Sequence, residues 1–205
     1  MSSNYRSRLK TWLTQYSLKH GKPNEFLLAS GRRSEWYIDA KLTTCKAEAM
    51  PLIGRVFIER IEHNGWRPAA VGGLVIGADP IVMSIARESI QVGEAINAFL
   101  VRKEPKKHGM NKFLEGLEDP HGLRVVIIDD VCTTGDSTRI AIDRAREAGL
   151  RVEGAICLVD REEGAADMIA KLGFPFDRIF TLGELQAEHE SLVCAGAGSE
   201  RSLHG

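Results

Sequence analysis

Apolar positions along this chain switch repeatedly between helical spacing and unbroken strand-like runs. From Tyr5 to Leu18, Leu9, Trp12, Leu13 and Tyr16 fall at helical spacing and predict an opening amphipathic helix. The stretch Lys19-His20-Gly21-Lys22-Pro23 ends it, because Gly and Pro both stop helices. Residues 25–44 read as short strands around a turn at Ser30-Gly31. Helical spacing returns over 48–63 through Ile53, Val56, Phe57 and Ile61, and Asn64-Gly65 closes that segment. Beyond it the pattern is strand (69–72), helix (78–89, with Pro80 in its first turn), then strand (95–102). Residues 124–130 (RVVIIDD) form a continuous apolar run edged by charge, as a parallel strand buried on both faces requires. A helix (136–148), a strand (152–160), a helix (165–172) and a last short strand (178–182) follow. Strands alternating with helices of this length predict an α/β fold, a parallel sheet with helices on both faces. From Gln186 the chain runs into Ala, Gly, Ser and charge, which predicts a frayed tail over 186–205.

Composition narrows the class. At 205 residues, 43% hydrophobic and 27% charged, the chain is an ordinary globular domain with enough length to bury a core. No apolar run approaches the roughly 20 residues that span a bilayer, and MSSNYRSRLK carries no apolar signal region. Twenty-seven Lys and Arg against 28 Asp and Glu give a net charge of -1, which speaks against wholesale nucleic-acid binding. Cys45, Cys132, Cys157 and Cys194 are scattered, without metal spacing, and read as free thiols of a cytoplasmic protein.

The chemistry concentrates in Asp129-Asp130-Val131-Cys132-Thr133-Thr134-Gly135-Asp136-Ser137-Thr138. A buried strand ends in two acids, and a hydroxyl-rich loop with Gly135 then opens a helix. Ligands of open parallel sheets bind beyond the carboxyl ends of strands, and a helix N-terminus offers unpaired N–H groups to phosphate. Two neighbouring carboxylates repel phosphate but accept from sugar hydroxyls, so the pair predicts a sugar phosphate. The alternative is structural, with the acids ending a strand and Asp136 or Ser137 capping a helix. The chain has no G-x-x-x-x-G-K-[ST], and Gly72-Gly73-Leu74-Val75-Ile76-Gly77 is not the dinucleotide fingerprint.

This stretch resembles the phosphoribosyl pyrophosphate (PRPP) signature of type I phosphoribosyltransferases. The resemblance implies that Asp129 and Asp130 hold the ribose hydroxyls while Thr133–Ser137 wrap the 5′-phosphate, with Val131 and Cys132 part of the PRPP site. Other segments resemble the orotate phosphoribosyltransferases in particular. Residues 102–112 (RKEPKKHGMNK) form a basic loop whose cations suit a pyrophosphate leaving group. They resemble that family's R-K-E-x-K-x-H-G loop, which implies catalytic roles for Arg102, Lys103, Lys106 and His108, the last three acting in a neighbouring subunit's site and so in a homodimer. Residues 28–44 (LASGRRSEWYIDAKLTT) resemble its base-pocket region, and Gly72–Pro80 resemble its pyrophosphate loop. Leu158–Gly164 resemble its D-R-x-x-G, which implies that Arg161, with Thr133, meets orotate. A guanidinium suits the carboxylate of that base. Ala29 and Val75-Ile76 stand where some members carry Lys and Tyr-Lys, and Met110-Asn111-Lys112 replace frequent acidic and Gly residues.

The resemblance implies one phosphoribosyltransferase domain over 1–185, with an N-terminal hood (about 1–45) over a core (about 46–185). It implies Mg²⁺ carried by PRPP, with no dedicated protein cage, and orotidine 5′-monophosphate and pyrophosphate as products in pyrimidine biosynthesis. Two rival readings exist: a phosphoribosyltransferase for a purine or another pyrimidine, and a regulator that binds PRPP and contacts nucleic acid. Arg161 opposes the first, and near-neutral charge opposes the second.

Overall fold

The computed structural model describes residues 2–28, 31–105 and 113–201. Among these residues the organising element is a six-stranded sheet made of β5 (Ala70–Leu74), β6 (Asn97–Val101), β7 (Leu114–Glu115), β8 (Arg124–Cys132), β9 (Arg151–Asp160) and β10 (Phe176–Thr181), in the order β10-β9-β8-β5-β6-β7. All neighbours pair parallel except β7, which returns antiparallel to β6. Helices α4 (Asp79–Gln91), α5 (Asp136–Glu147) and α6 (Ala165–Lys171) are the crossovers that parallel pairing demands, and α3 (Met50–His63) leads into β5.

Strand β8 shows why its sequence is apolar throughout. Val126 and Ile128 pack with Ile53, Phe57, Ile81 and Ile85 on one face, while Val125 and Ile127 pack with Ala141, Ile142 and Ala145 on the other. Alternate side chains point to opposite faces, and both faces are covered. Gly54 completes the α3–α4 contact, because a Cβ there would stand 2.5 Å from the carbonyl oxygen of Ser84.

The N-terminal segment differs from the expected single helix. Helix α1 (Ser2–Trp12) passes into a wider, π-helical turn over Leu13–Ser17 and then directly into β1 (Leu18–His20). The chain has to extend at Leu18 because β1 pairs antiparallel with β4 (Trp36–Ile38), and the wide turn keeps Leu13, Thr14 and Ser17 buried. A second small ribbon joins β2 (Phe26–Leu27) to β3 (Arg33–Ser34). Residues 41–44 form the helical turn α2 (Lys41–Thr44) instead of a strand, with Thr43 and Thr44 N–H groups donating to Ala40 O at 2.9 and 2.8 Å.

Residues 186–201, expected as a frayed tail, continue helix α7 (Leu182–Arg201). Its start is a reciprocal cap: the Glu184 N–H donates to Thr181 Oγ1 at 3.1 Å, and Glu184 Oε2 accepts from the Thr181 N–H at 2.8 Å. Leu185 is fully buried, and Glu184 and Glu188 pair with Arg6 and Lys10 of α1 at 2.6 and 2.9 Å. Among the described residues no helix is long and apolar enough to cross a membrane.

Candidate active site at the sheet switch point

From β5 the chain moves outward to β6 on one side, then returns to lay β8 on the other, so strand order reverses between β5 and β8. A crevice at the carboxyl ends of the strands is the expected result. Pairing of β5 with β8 stops at Gly72–Ile127, and β8 runs on beside β9 to Cys132. Three cavities adjoin there, and β8 supplies residues to all of them.

The two acids at the end of β8 divide by strand alternation. Asp129 points toward α5, is 5% exposed, and accepts at Oδ2 from the Thr138 hydroxyl at 2.7 Å. Its Oδ1 accepts from the Asp130 N–H at 3.0 Å. Burial, then repulsion from Asp130, raises the Asp129 carboxyl to about 7, against the pull of hydrogen bonds from Thr138, Cys132 and the Asp130 backbone. Asp130 points the other way, over Gly77 in the turn that leads into α4. A Cβ on Gly77 would stand 2.5 Å from the Asp130 Cγ and 2.7 Å from Oδ2, so only glycine leaves that carboxylate its place.

The first cavity is a cup of about 410 Å³ lined by Asp129 and residues 131–137. Gly135 sits at φ +86°, and a Cβ on it would meet Met168 Cε at 2.9 Å and the Ala165 Cα at 3.2 Å, so the turn into α5 needs glycine. The Asp136 carboxylate accepts from Thr134 Oγ1 at 3.1 Å and pairs with Arg139 at 3.6 Å, which draws its charge aside. Thr138 and Cys132 turn inward, leaving Thr133, Thr134, Ser137 and backbone N–H groups at the cup. Cys132 is 1% exposed, and its thiol is pushed well above the ordinary range by a hydrogen bond with Cys157 and by burial, which makes it unreactive.

A larger cleft of about 880 Å³ opens beside the cup, between Leu74–Gly77, Arg102–Glu104, Glu115, Asp129, Asp130, Ser137 and Lys41. Arg102 and Phe113 close the base of the basic loop through an N–H···O bond of 2.8 Å, and the Arg102 guanidinium stands 3.4 Å from Glu115. Lys41 Nζ lies 2.8 Å from Asp39 Oδ1, and that hydrogen bond, helped by the nearby Asp130 charge, outweighs partial burial and raises its pKa. Lys106 and His108 lie outside the described residues, as does Ala29.

The third cavity, about 200 Å³, is roofed by the N-terminal segment through Leu28, Tyr37, Ile38, Ala40 and Lys41, and floored by Asp130, Val131, Thr133 and Arg161. Arg161 is 8% exposed, and its N–H donates to Cys132 O at 2.9 Å. Its guanidinium is oriented through Nε to Glu163 at 2.9 Å and lies 3.5 Å from Ser34 Oγ. Glu163 also takes Arg32 at 3.1 Å, so the β2–β3 ribbon and the arginine share one acid.

The structure thus gathers Asp129–Ser137, Arg161, Arg102 and Lys103 around connected cavities. Sequence reasoning did not assign roles to Lys41, Tyr37, Gly77, Ser34 or Glu163. Lys41 had a usable signal, since it lies two residues beyond Tyr37-Ile38-Asp39, in a segment already tied to the base pocket. Among the described residues no three His, Cys, Asp or Glu side chains converge as a metal cage. Magnesium usually keeps several waters and takes one or two carboxylates together with substrate phosphates, and Asp130 at the cleft fits that donor set, whereas the oxygens of Asp129 are engaged by Thr138 and the Asp130 N–H.

The model of the phosphoribosyl transferase domain matches residues 48–178. The orotate phosphoribosyltransferase of Aquifex aeolicus (strain VF5) is 43% identical over 180 residues, which are 88% of this chain and 97% of that protein. The chain belongs to the orotate phosphoribosyltransferase family. A second member of the family, from Corynebacterium glutamicum (strain R), is 40% identical over 190 residues, 90% of this chain and 98% of the relative. Among solved structures, the Mycobacterium tuberculosis H37Rv orotate phosphoribosyltransferase in complex with PRPP superposes with a TM-score of 0.73 at 32% identity, covering 89% of this chain and 99% of that one. The adenine phosphoribosyltransferase of Leishmania tarentolae, 16% identical with a TM-score of 0.60, shares the fold.

Proposed function

We propose that the chain transfers the 5-phosphoribosyl group of PRPP to N1 of orotate, releasing pyrophosphate and giving orotidine 5′-monophosphate for pyrimidine biosynthesis. One observation carries the assignment of parts: a cup at the turn into α5, a larger cleft bordered by Lys41, Arg102 and Lys103, and a small pocket holding a buried arginine adjoin at the end of β8. A sugar phosphate with a leaving group on one face of its anomeric carbon and an incoming base on the other needs three such sites in contact. The PRPP complex of the Mycobacterium tuberculosis relative supports the substrate.

In this reading the backbone N–H groups of residues 133–137 and the start of α5 hold the 5′-phosphate, with Thr133, Thr134 and Ser137 adding hydroxyls. Asp130 accepts from the ribose hydroxyls, and Asp129 braces the turn that aims it. Arg161 pairs with the orotate carboxylate through the edge that Glu163 leaves open, and Thr133 borders the same base. Arg102 and Lys103, with Lys106 and His108 of the same loop, stabilise the pyrophosphate as the C–O bond breaks and the C–N bond forms. Asp130 would stand beside a magnesium ion brought in with PRPP, and that ion would supply charge neutralisation to the pyrophosphate.

A homodimer sharing these sites is part of the proposal. Ile76, Met83 and Ile90 are 71%, 49% and 62% exposed, and Met83 and Ile90 stand seven residues apart on one face of α4. A second copy would bury that apolar stripe. The four cysteines, free here, fit the reducing cytoplasm. The test is loss of orotate ultraviolet absorbance with purified protein, PRPP and Mg²⁺, beside uracil, hypoxanthine and adenine. Consumption of orotate alone is expected. Turnover of another base would overturn the role of Arg161, and PRPP binding without turnover of any base would favour the regulator.

A further inference from the structure

The large cleft has to accept a polyanion, yet its described walls are not strongly cationic. Lys41, Arg102 and Lys103 face Glu104, Glu115 and Asp130, three positive groups against three negative, with the buried Asp129 beside them. Arg102 already stands beside Glu115. Val75-Ile76 occupy the loop after β5 without adding charge. The cation that comes from the N-terminal segment instead is Lys41, at the first residue of α2.

Its place between cavities sets it apart. Among the described residues, Lys41 and Asp130 are the two that border both the large cleft and the base pocket. If the cleft holds the pyrophosphate and the pocket holds the base, the boundary between them is where the anomeric carbon changes partners. Asp130 stands there from β8 and Lys41 from the N-terminal segment, so the boundary carries one fixed anion and one cation on a flexible stem. That cation is parked on Asp39 at 2.8 Å, with 46% of its side chain exposed. An exposed pair of this kind opens at little cost. A pyrophosphate, with several charges in place of the single one on Asp39, is the stronger partner.

We infer that Lys41 is a further catalytic residue of this site, its ammonium passing from Asp39 to the pyrophosphate of PRPP and following the leaving oxygens as the C–O bond breaks. This rests on the reaction proposed above. A contact that strengthens as charge develops on the leaving group raises kcat more than it tightens ground-state binding.

The experiment pairs kinetics with direct binding. Lys41→Met and Lys41→Arg are compared with the unaltered protein for kcat, for the KM of PRPP and of orotate, and for calorimetric Kd of PRPP and of pyrophosphate with Mg²⁺. Lys41→Met is expected to lower kcat by about 10²-fold, the scale for loss of one charge-stabilising donor. It should also weaken pyrophosphate binding measurably while leaving the KM of orotate within about threefold, with Lys41→Arg recovering much of the loss by restoring the charge. Unchanged kcat and pyrophosphate affinity in Lys41→Met would overturn the inference. So would a rise confined to the KM of orotate, which would place the ammonium on the base. Should the unaltered protein bind PRPP but not turn over orotate, the proposed reaction fails by itself, and the pyrophosphate Kd of Lys41→Met still decides the role of Lys41.

Discussion

Asp129 and Asp130 are adjacent, chemically identical and placed in opposite surroundings. Asp129 is enclosed by Thr138, Cys132 and the backbone of Asp130, whereas Asp130 stands at the cleft over Gly77. The raised pKa of Asp129 has a definite consequence for stability. Its folded value is about 7 against an ordinary 3.8, so the folded state holds the proton more tightly, and the contribution is complete below about 4 and lost as pH rises through 7. Asp129→Asn removes that loss. Its urea midpoint relative to the unaltered protein should therefore be more favourable at pH 8 than at pH 5, and the reverse order would contradict the assignment. Glu163 is the corresponding lever in the base pocket, since it fixes Arg161 through Nε. Glu163→Gln keeps the shape and loses the charge-assisted bond, so the KM of orotate should rise several-fold, about tenfold for 1.4 kcal/mol, with the KM of PRPP little changed. Equal changes in both KM values would mean a general disturbance of the site. Chemical type alone gives both acids the same role. The difference between them was nonetheless present in the alternation Val125-Val126-Ile127-Ile128, which sends Asp129 toward α5 and Asp130 toward α4. Glu163 was harder to find, because its partner Arg32 lies 131 positions away.

Helix α7 shows how an element outside the cavities bears on them. Its Ala-, Gly- and Ser-rich composition over the last turns resembles a tail, and a reading by composition misses Thr181-Leu-Gly-Glu184, the cap that starts it. Once started, the helix buries Leu185, pairs Glu184 and Glu188 with α1, and sets His189 edge-on to Trp36 at 5.3 Å between ring centres. His20 stacks on the same indole at 4.1 Å, so Trp36 is held from two sides, and the next residues, Tyr37 and Ile38, line the base pocket. Burial initially raises the Glu184 carboxyl, but the Arg6 and Thr181 bonds bring it below its ordinary value. The main β–α alternation was legible because β8 and β9 are long, largely buried runs and the helices between strands keep their apolar positions at helical spacing. The wide turn at Leu13–Ser17 and the helical turn at Lys41–Thr44 were not legible, because distant pairing with β4 and burial of Thr43 decide them. Leu185→Ala should cost about 2–5 kcal/mol in urea unfolding, as truncation of a fully buried leucine does. A loss below about 0.5 kcal/mol would mean that α7 is not docked as described.

At the scale of the whole molecule the open question is which cleft the basic loop serves. Arg102 and Lys103 border the cleft of their own chain, and the Arg102–Phe113 bond fixes where the loop begins and ends. Ten residues, 103–112, lie between those anchors. A segment that leaves and returns across one ladder rung reaches at most about 17 Å, half of ten residues at 3.3 Å each, which is enough to cross a dimer boundary or to fold back. The proposed homodimer has the loop serve the partner's site, and the exposed Met83 and Ile90 on α4 offer a surface for that partner. Subunit mixing separates the two arrangements. Lys106→Ala removes a loop cation and Arg161→Ala removes the base-pocket guanidinium, so each homodimer should be nearly inactive. If the loop acts across the boundary, a mixed dimer has one site in which an intact loop from one chain meets an intact pocket from the other. If the loop acts within its own chain, both sites of a mixed dimer carry one lesion each. Unfolding and refolding the two variants together in equal amounts makes about half of the dimers mixed, so the first arrangement restores about a quarter of the unaltered activity and the second restores none. The same comparison at protein concentrations low enough to separate the subunits should abolish the recovered activity, since under the first arrangement no single chain holds a complete site.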